Sequence, residues 1–543
     1  MAGDVQAVRL LAAAVEAPPV KIYLINPKFP VTLPGIEYAC RIAGKRYAAP
    51  SVSLLTIAGL TPSTFTVELC DENAYGIRWN TDADLIGLTG MHLQRRRLLE
   101  IARAFRARGK RVVVGGPSVT AMPDWYREDA DVLIRGEAEY LWPRFLRDLL
   151  EGKPQPEYHE TGQVDVRDSP MPRYDLINVR DYVGVGIQTT RGCPFECEFC
   201  DIIVLYGRKV RQKSIPQSMA EIERLVSLGV LRITLVDDNL IGNRPHAIAL
   251  LEAIRAFSRP LHHPPTFSCQ ATVNVAKDRA MLQLMREAGV LNMFIGIETP
   301  RATSLAETHK YQNMRTDLQR DLETVQSHGI IVTIGSIVGF DHDDLDVFDE
   351  QVEFVRRAKV TWVFPNQLRA LPRTPLYERM RQEGRLREDE PRWNTNERYG
   401  ESNFIPKQMT QEQLTAGYLS MLLRWYEPEA FAQRLRGELE RLDRMPGGTG
   451  KFMLSFPVVC LGFLWIFGWF LCDRHRRAML YVFWRVVPHV LRRRRRVANF
   501  ALSRLVIYYH IYHLTHIWRR IREQESAIPS HETAVARHYG NPA

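Results

Sequence analysis

The clearest chemistry in this sequence is carried by three cysteines at spacing C-x3-C-x2-C, in Arg191-Gly192-Cys193-Pro194-Phe195-Glu196-Cys197-Glu198-Phe199-Cys200. Thiolates are soft ligands that suit iron–sulfur clusters or zinc. A strand feeding a tight loop would bring all three onto one small triangle. The next cysteine is Cys269, so no fourth ligand lies nearby in sequence. A structural zinc site wants four closed ligands, and no C-x2-C partner pair exists. A cubane cluster held by three cysteines instead keeps one iron open for a substrate. Three buried or zinc-binding cysteines are the alternative reading of the same spacing.

Such a loop needs a rigid element in front of it, and the apolar run 183–187 supplies one. Strands are expected at 183–189, 232–236, 266–272, 292–297, 331–337 and 361–368, with helices between them at 215–228, 246–257 and 278–288. Six βα units make a partial (β/α)6 barrel, whose chemistry gathers at the C-terminal strand ends. Cys193, Cys197 and Cys200 follow the first strand. Asp237, Asp238 and Asn239 follow the second, Glu298 and Thr299 the fourth, and Gly335, Gly339, Phe340 and Asp341 lie at the fifth. Singly each reads as a cap or a turn. Together they place polar groups at one mouth.

Before the barrel, strands at 20–26, 64–70, 85–89, 111–114 and 132–134 alternate with helices that include 96–108 and 139–151. That alternation predicts a doubly wound parallel sheet, with ligands bound beyond the carboxyl ends of the strands. The loops there are Thr89-Gly90-Met91-His92, Gly115-Gly116-Pro117-Ser118 and Arg135-Gly136-Glu137. Gly115 and Gly116 would let backbone approach a large flat ligand, or would only turn the chain. The expected organisation is a loose leader at 1–18, the sheet domain at 19–152, a proline-rich linker at 153–182, the barrel at 183–395, a helical extension at 396–445 and a tail at 446–543. Met409-Thr410-Gln411-Glu412 reads as a helix start, with a further helix at 426–442.

The formal charge of +10 is unevenly placed: 446–543 holds 15 Lys and Arg against 4 Asp and Glu, a net of +11, which leaves −1 for the first 445 residues. Eight cysteines, three of them clustered, point to a reducing compartment and not to a disulfide framework. Residues 446–450 form a glycine-rich hinge, and 452–472 is a run of 21 residues without a charge. That is long enough to span a bilayer. Spanning would send the following arginines to the far side, so a re-entrant or in-plane insertion broken at Pro457 and Gly468 is expected, with arginines on anionic headgroups. A buried core helix is the alternative. Over 500–520, His510, His513 and His516 recur at spacing three, which reads as a polar stripe on an interfacial helix before a metal site. The apolar segments around Arg492–Arg496 favour lipid over nucleic acid as partner.

The cysteine loop resembles that of the radical S-adenosylmethionine (SAM) enzymes, with C-x3-C-x-aromatic-C intact and Phe199 at the aromatic position. The N-terminal region resembles the cobalamin-binding domain that precedes the barrel in one class of them. The signature D-x-H-x-x-G of such domains is here Asp71-Glu72-Asn73-Ala74-Tyr75-Gly76, with Asn73 at the histidine position, a departure shared with the radical SAM methylases. Residues 370–377 and 403–406 resemble the segments that end the barrel in these proteins. Gly90-Met91-His92-Leu93-Gln94-Arg95, Gly115-Gly116-Pro117-Ser118 and Val236-Asp237-Asp238-Asn239 are similar to the hopanoid C-2 methylases.

The resemblance implies a cobalamin-dependent radical SAM methyltransferase. It implies that Cys193, Cys197 and Cys200 hold a [4Fe–4S] cluster, and that Phe199, Asp237, Asp238, Glu298 and Gly335 bind SAM. Asn73, Thr89, His92, Gly115, Gly116 and Gly136 would face cobalamin, and a one-electron donor of flavodoxin or ferredoxin type would serve the cluster. The expected reaction is C-methylation of an unactivated carbon in a hydrophobic substrate, a polycyclic lipid or tetrapyrrole-like molecule. A cyclase or oxidase without methyl transfer, and a membrane-attached sensor, are the alternatives. The expected location is the cytoplasmic face of a membrane, peripheral or re-entrant, with a transmembrane span as the variant.

Overall fold

Five of the six residues of β1 (Lys21–Asn26) are buried, as a strand covered on both faces must be. It sits between β2 (Thr66–Asp71) and β3 (Leu85–Thr89), and β4 (Arg111–Gly115), β5 (Val132–Arg135) and β6 (Glu157–His159) follow in the order β2-β1-β3-β4-β5-β6, all parallel. One face is covered by helix Arg95–Arg106, whose Leu98, Ile101, Ala102 and Phe105 recur at helical spacing and are buried. The other face is covered by helices Val52–Leu60 and Ala138–Leu150 through Leu54, Ala58, Leu141, Trp142 and Phe145. β6 falls in the stretch expected to be a linker. A three-residue edge strand reading Glu-Tyr-His has no periodicity to betray it.

The structure, a computed structural model, describes residues 20–160, 162–314, 316–387, 401–443, 456–493 and 497–527. The expected leader and the 446–450 hinge lie outside the described residues. Among the described residues two compact units form: the first takes those up to Pro30 with Ala49–Pro194 and Asp201–Asp238, the second Val31–Ala48 with Phe195–Cys200 and those from Asn239 on. Besides its six-stranded sheet, the first unit contains β7 (Val185–Ile187), β8 (Thr190–Arg191), β9 (Arg211–Gln212) and β10 (Arg232–Leu235). β7 runs parallel to β10, and β8 antiparallel to β9. In the second unit β11 (Thr266–Gln270), β12 (Val290–Glu298), β13 (Ile331–Val338) and β14 (Trp362–Gln367) lie side by side in that order and parallel. All six expected barrel strands therefore exist, within a few residues of their expected bounds.

The C-terminal part of the second unit is helical. Thr410 caps helix Gln411–Trp425 in a reciprocal capping box with Gln413. Helices Pro428–Asp443, Phe456–Cys472, Arg476–Arg493 and Ala498–Ala527 follow. Three expectations for this region are corrected. The helix Phe456–Cys472 runs unbroken through Gly468, with Pro457 in the first turn, where a missing N–H costs nothing. Among the described residues no helix is long and apolar enough to cross a membrane. The histidines do not form an exposed stripe: His510 is fully buried, with Nε2 2.9 Å from the Thr32 carbonyl and Nδ1 accepting from the Tyr38 N–H. Burial pushes its pKa down to about 4. His513 Nε2 lies 3.0 Å from Asp473 Oδ2.

Phe105 is wholly buried between β-sheet and helix and meets Tyr23 edge-on and Trp79 in a stack. Phe105→Ala is expected to cost about 3–5 kcal/mol, read as a lower denaturation midpoint in urea with an unchanged slope.

Candidate active site

A cavity of about 200 Å³ opens at the carboxyl ends of β3, β4 and β5, within the first unit. Thr89, Gly115, Gly116 and Gly136 line it, four of the six residues expected to face cobalamin. Gly116 has φ +99°, and a Cβ there would lie 2.5 Å from Thr89 Oγ1, so no side chain is accommodated. Gly136, at φ +110°, donates its N–H to Thr120 Oγ1 at 3.0 Å. Much of the remaining lining is apolar, with Leu24, Ile57, Leu60, Val113, Ile134 and Trp142.

The other two expected residues stand outside the lining. Asn73 is spent on local structure: its Oδ1 accepts from the Phe29 N–H at 2.8 Å and its Nδ2 donates to Asp71 Oδ1 at 2.7 Å. His92 Nδ1 lies 3.0 Å from Ser118 Oγ, which in turn lies 2.6 Å from Tyr126 Oη.

One wall is charged, and pattern reading did not single it out. Glu137 accepts from Arg191 and from Arg211 Nη1, the latter at 2.7 Å, while Arg191 also reaches Glu139 Oε1 at 2.9 Å. Burial works against charge on Arg191, and Glu139 with Glu137 outweighs it and holds the guanidinium protonated. Burial likewise acts to raise Glu139, and Arg191 overcomes it, leaving the carboxyl below its ordinary value. The partners lie 52, 54 and 74 positions apart in the chain, so no local periodicity announces them.

Arg191 opens the cysteine loop. Gly192, at φ +96°, donates its N–H to Asp238 Oδ2 at 2.7 Å, and the Cys193 N–H donates to the Gly207 carbonyl at 3.3 Å. Asp237 is consumed by the preceding turn: it accepts from Thr189 N–H at 2.6 Å, Thr189 Oγ1 at 2.5 Å and Thr190 N–H at 2.8 Å, and has no exposed surface. Of the two aspartates considered for SAM, Asp238 is the one with surface left to offer.

In the second unit Glu198 pins the later half of the loop. Its N–H donates to the Thr308 carbonyl at 3.0 Å, its carbonyl accepts from the Leu376 N–H at 3.1 Å, and its carboxylate accepts from Arg379 at 2.6 Å. Gln312 Nε2 donates to Cys197 Sγ at 3.4 Å. Phe199 packs edge-on against Phe340, with Lys310 Nζ 5.8 Å from its ring centre. Glu298 and Gly335 do come together. Glu298, at φ +66°, pairs with buried Lys310, and its carboxylate occupies space that a Cβ on Gly296 would enter, while a Cβ on Gly335 would press on Phe294 at 3.0 Å and lie 3.5 Å from Glu298 Oε2. Burial opposes the charge on Lys310, and Glu298, with Cys197 behind it, keeps it protonated. Lys310, Gly296 and Gln312 were not legible in advance.

No disulfide joins any of the eight cysteines. Cys193 belongs to the first unit, and Cys197 and Cys200 to the second. Among the described residues no group of three or more His, Cys, Asp or Glu side chains is arranged to hold a metal ion.

A cysteine loop following a short strand, a parallel sheet with a glycine-lined cavity at its strand ends, and a second run of parallel strands define an α/β protein of the radical SAM type. The chain belongs to the cobalamin-dependent radical SAM methyltransferase family. Residues 187–355 match the Radical SAM superfamily, and 374–526 match a domain of unknown function, DUF4070. An uncharacterized methyltransferase of Synechocystis sp. is 35% identical over 416 residues, covering 76% of this chain and 77% of that one. The hopanoid C-2 methylase of Rhodopseudomonas palustris is 35% identical over 395 residues, covering 71% and 72%. Among solved structures, the cobalamin-dependent SAM radical enzyme OxsB, with aqua-cobalamin and SAM bound, superposes with a TM-score of 0.59 at 16% identity, over 95% of this chain and 82% of that one. At that identity the likeness is one of fold.

Burial pushes the Asp237 carboxyl up to about 6, against the donors that favour its charge. With its folded value above the unfolded one, the folded state binds this proton first, and the contribution of Asp237 to stability shrinks as pH rises through about 6. In urea denaturation, the stability of wild type minus that of Asp237→Asn is therefore expected to grow, by on the order of 1–3 kcal/mol, as pH falls from about 7 to 4. A difference that stays flat over that range would remove the titration from Asp237.

Proposed function

We propose that this protein transfers a methyl group from SAM to an unactivated carbon of a hydrophobic substrate, a polycyclic lipid or tetrapyrrole-like molecule, with a [4Fe–4S] cluster and cobalamin as cofactors. The observation that carries the reading is the cavity at the strand ends, because Arg191 in its wall stands two residues before Cys193. The chemistry of the residues present fits the groups, although the three thiols are not gathered into a single-ion site. Three cysteines without a nearby fourth suit a cluster with an open iron, and Lys310 beside Cys197 offsets negative charge. The crowding at Gly116 and the bare backbone at Gly115 suit a broad flat ring. When bound, the cluster and cobalamin supply the electron for SAM cleavage and the methyl carrier, chemistry that no side chain can perform.

The chain's own residues then bind and position. Cys193, Cys197 and Cys200 would ligate the cluster, with Gln312 donating to Cys197 Sγ. Asp238 and Glu298 are the carboxylates offered to SAM, and Lys310 holds Glu298 in place. Asp237, its oxygens taken up by Thr189 and Thr190, positions the turn before the loop. Thr89, Gly115, Gly116 and Gly136 would lie against the corrinoid, while Leu24, Leu60 and Trp142 in the lining help to exclude water. The low exposure of the Arg191–Glu137–Glu139 wall fixes its geometry. A flavodoxin or ferredoxin would deliver the electron. The similarity to a hopanoid methylase supports the choice of a lipid-like substrate.

Two measurements test this on reconstituted enzyme. Cys197→Ala is expected to reduce 5′-deoxyadenosine formation from SAM to background, and retained cleavage would sink the cluster assignment. Gly116→Val is expected to lower the cobalamin retained after gel filtration by about tenfold or more, read from corrinoid absorbance. With SAM labelled in the methyl group, label should enter the hydrophobic product; cleavage without incorporation would point to radical chemistry of another kind.

A further inference from the structure

The helices Phe456–Cys472 and Arg476–Arg493 carry an apolar face that the rest of the second unit leaves uncovered. Of eighteen exposed large apolar side chains among the described residues, seven fall in the 27 residues from Val458 to Trp484, which makes a patch and not scattered exposure. Leu461 is 65% exposed, Leu464 66%, Trp465 60% and Trp484 59%. On the first helix Val458, Leu461, Leu464, Trp465 and Leu471 recur at helical spacing along one side. Val459, Phe463, Ile466 and Phe470 are buried on the opposite side and hold the helix to its neighbours. The Trp465 indole N–H is anchored on the Ile42 carbonyl at 2.9 Å, so the ring is presented outward in a fixed place.

The charge around this face is mostly of one sign, the exception being Glu429 of helix Pro428–Asp443, which accepts from Tyr481 and pairs with Arg485 at 3.2 Å. Arg474, Arg476 and Arg477 are exposed at the turn between the two helices. Asp473 is the single carboxylate of 456–493, and it is turned inward, accepting from Tyr509 Oη at 3.1 Å and facing His513 Nε2 at 3.0 Å. The first helix has 17 residues, about 25 Å of rise, short of the roughly 30 Å hydrocarbon core.

We propose that this face seats on an anionic phospholipid surface, with helix Phe456–Cys472 lying in the plane of the interface. Leu461, Leu464, Trp465 and Trp484 enter the headgroup–acyl boundary, where indole rings are favoured, and Arg474, Arg476 and Arg477 meet the phosphates. A second copy of the chain is the weaker occupant, because a two-fold contact through the same patch brings like-charged arginine collars together. The inference rests on this surface alone and not on the methyl-transfer reading.

The test is sedimentation of the full chain with vesicles of phosphatidylcholine, with and without phosphatidylglycerol. Binding is expected with phosphatidylglycerol and is expected to weaken on the order of tenfold without it, at high salt, and in Arg476→Gln/Arg477→Gln. Leu461→Gln/Leu464→Gln should weaken it to a similar degree while the circular dichroism and thermal melt stay unchanged, since both side chains are exposed. Absence of binding to phosphatidylglycerol vesicles overturns the proposal, as does full binding by the leucine double variant. A dimer in light scattering that the leucine variant breaks, without vesicle binding, assigns the face to a second copy and also overturns it.

Discussion

Glu137, almost wholly buried, receives hydrogen bonds from Arg191 and Arg211, and this three-residue pairing ties the end of β5 to the strand pair that frames the cysteine loop. A carboxylate in such a place is tolerable only with full compensation, because an unpaired buried charge costs several kcal/mol. The same constraint recurs at other strand ends. Asp237 takes three donors from Thr189 and Thr190, and Glu298 takes Lys310. Each pairing also fixes a loop: Arg191 cannot move without taking from Glu139 its charged partner and from Glu137 one of two, so the residues that follow it start from a fixed point. The charges that look like catalytic candidates are thus divided between groups that hold the site and groups with capacity to spare.

Space at the strand ends is made by the absence of side chains. Gly116 adopts a backbone conformation that disfavours any Cβ and would press one against Thr89. In the second unit Gly296 clears room for the Glu298 carboxylate and Gly335 for the Phe294 ring beside it, and Glu298 itself sits at a positive φ that a glutamate adopts only under constraint from its surroundings. The lysine beneath it and the Gln351 Nε2 that donates to its carbonyl at 2.8 Å supply that constraint. Strain and pairing at one residue, flanked by glycines, mark a position shaped for contact with a ligand and not for packing alone.

The C-terminal helices belong to the second unit's core and are not an appendage to it. Arg434, Glu438 and Arg504 are buried together, with Glu438 accepting from Thr361 just before β14 and Arg434 donating to the Val360 carbonyl at 3.0 Å. Tyr508 stacks on Phe431 and donates to the Tyr426 carbonyl at 3.3 Å. The DUF4070 match over 374–526 follows the same continuity. What distinguishes the hairpin of Phe456–Cys472 and Arg476–Arg493 within this bundle is the side it turns to solvent.

By itself the sequence determined the strand–helix order, because runs such as Val112-Val113-Val114 and Ile22-Tyr23-Leu24-Ile25 can only be buried parallel strands and the periodicity of Leu98, Ile101, Ala102 and Phe105 can only be a helix face. It also determined the cysteine loop, whose spacing is local, and the glycines that later proved to line a cavity. Tertiary structure alone decided which residues with similar credentials do which work. Asp237 and Asp238 are adjacent and chemically alike, yet one is sealed by Thr189 and Thr190 and the other is not. Asn73 and His92 sit at plausible positions but spend their polar atoms on neighbours. Glu137 with Arg191, and Glu298 with Lys310, each pair the end of a strand with a loop, and such a pairing depends on where the chain returns to itself. Local spacing carries no record of that return, and for the same reason the histidines of the last helix read as an exposed stripe until Thr32 and Tyr38 were found against His510.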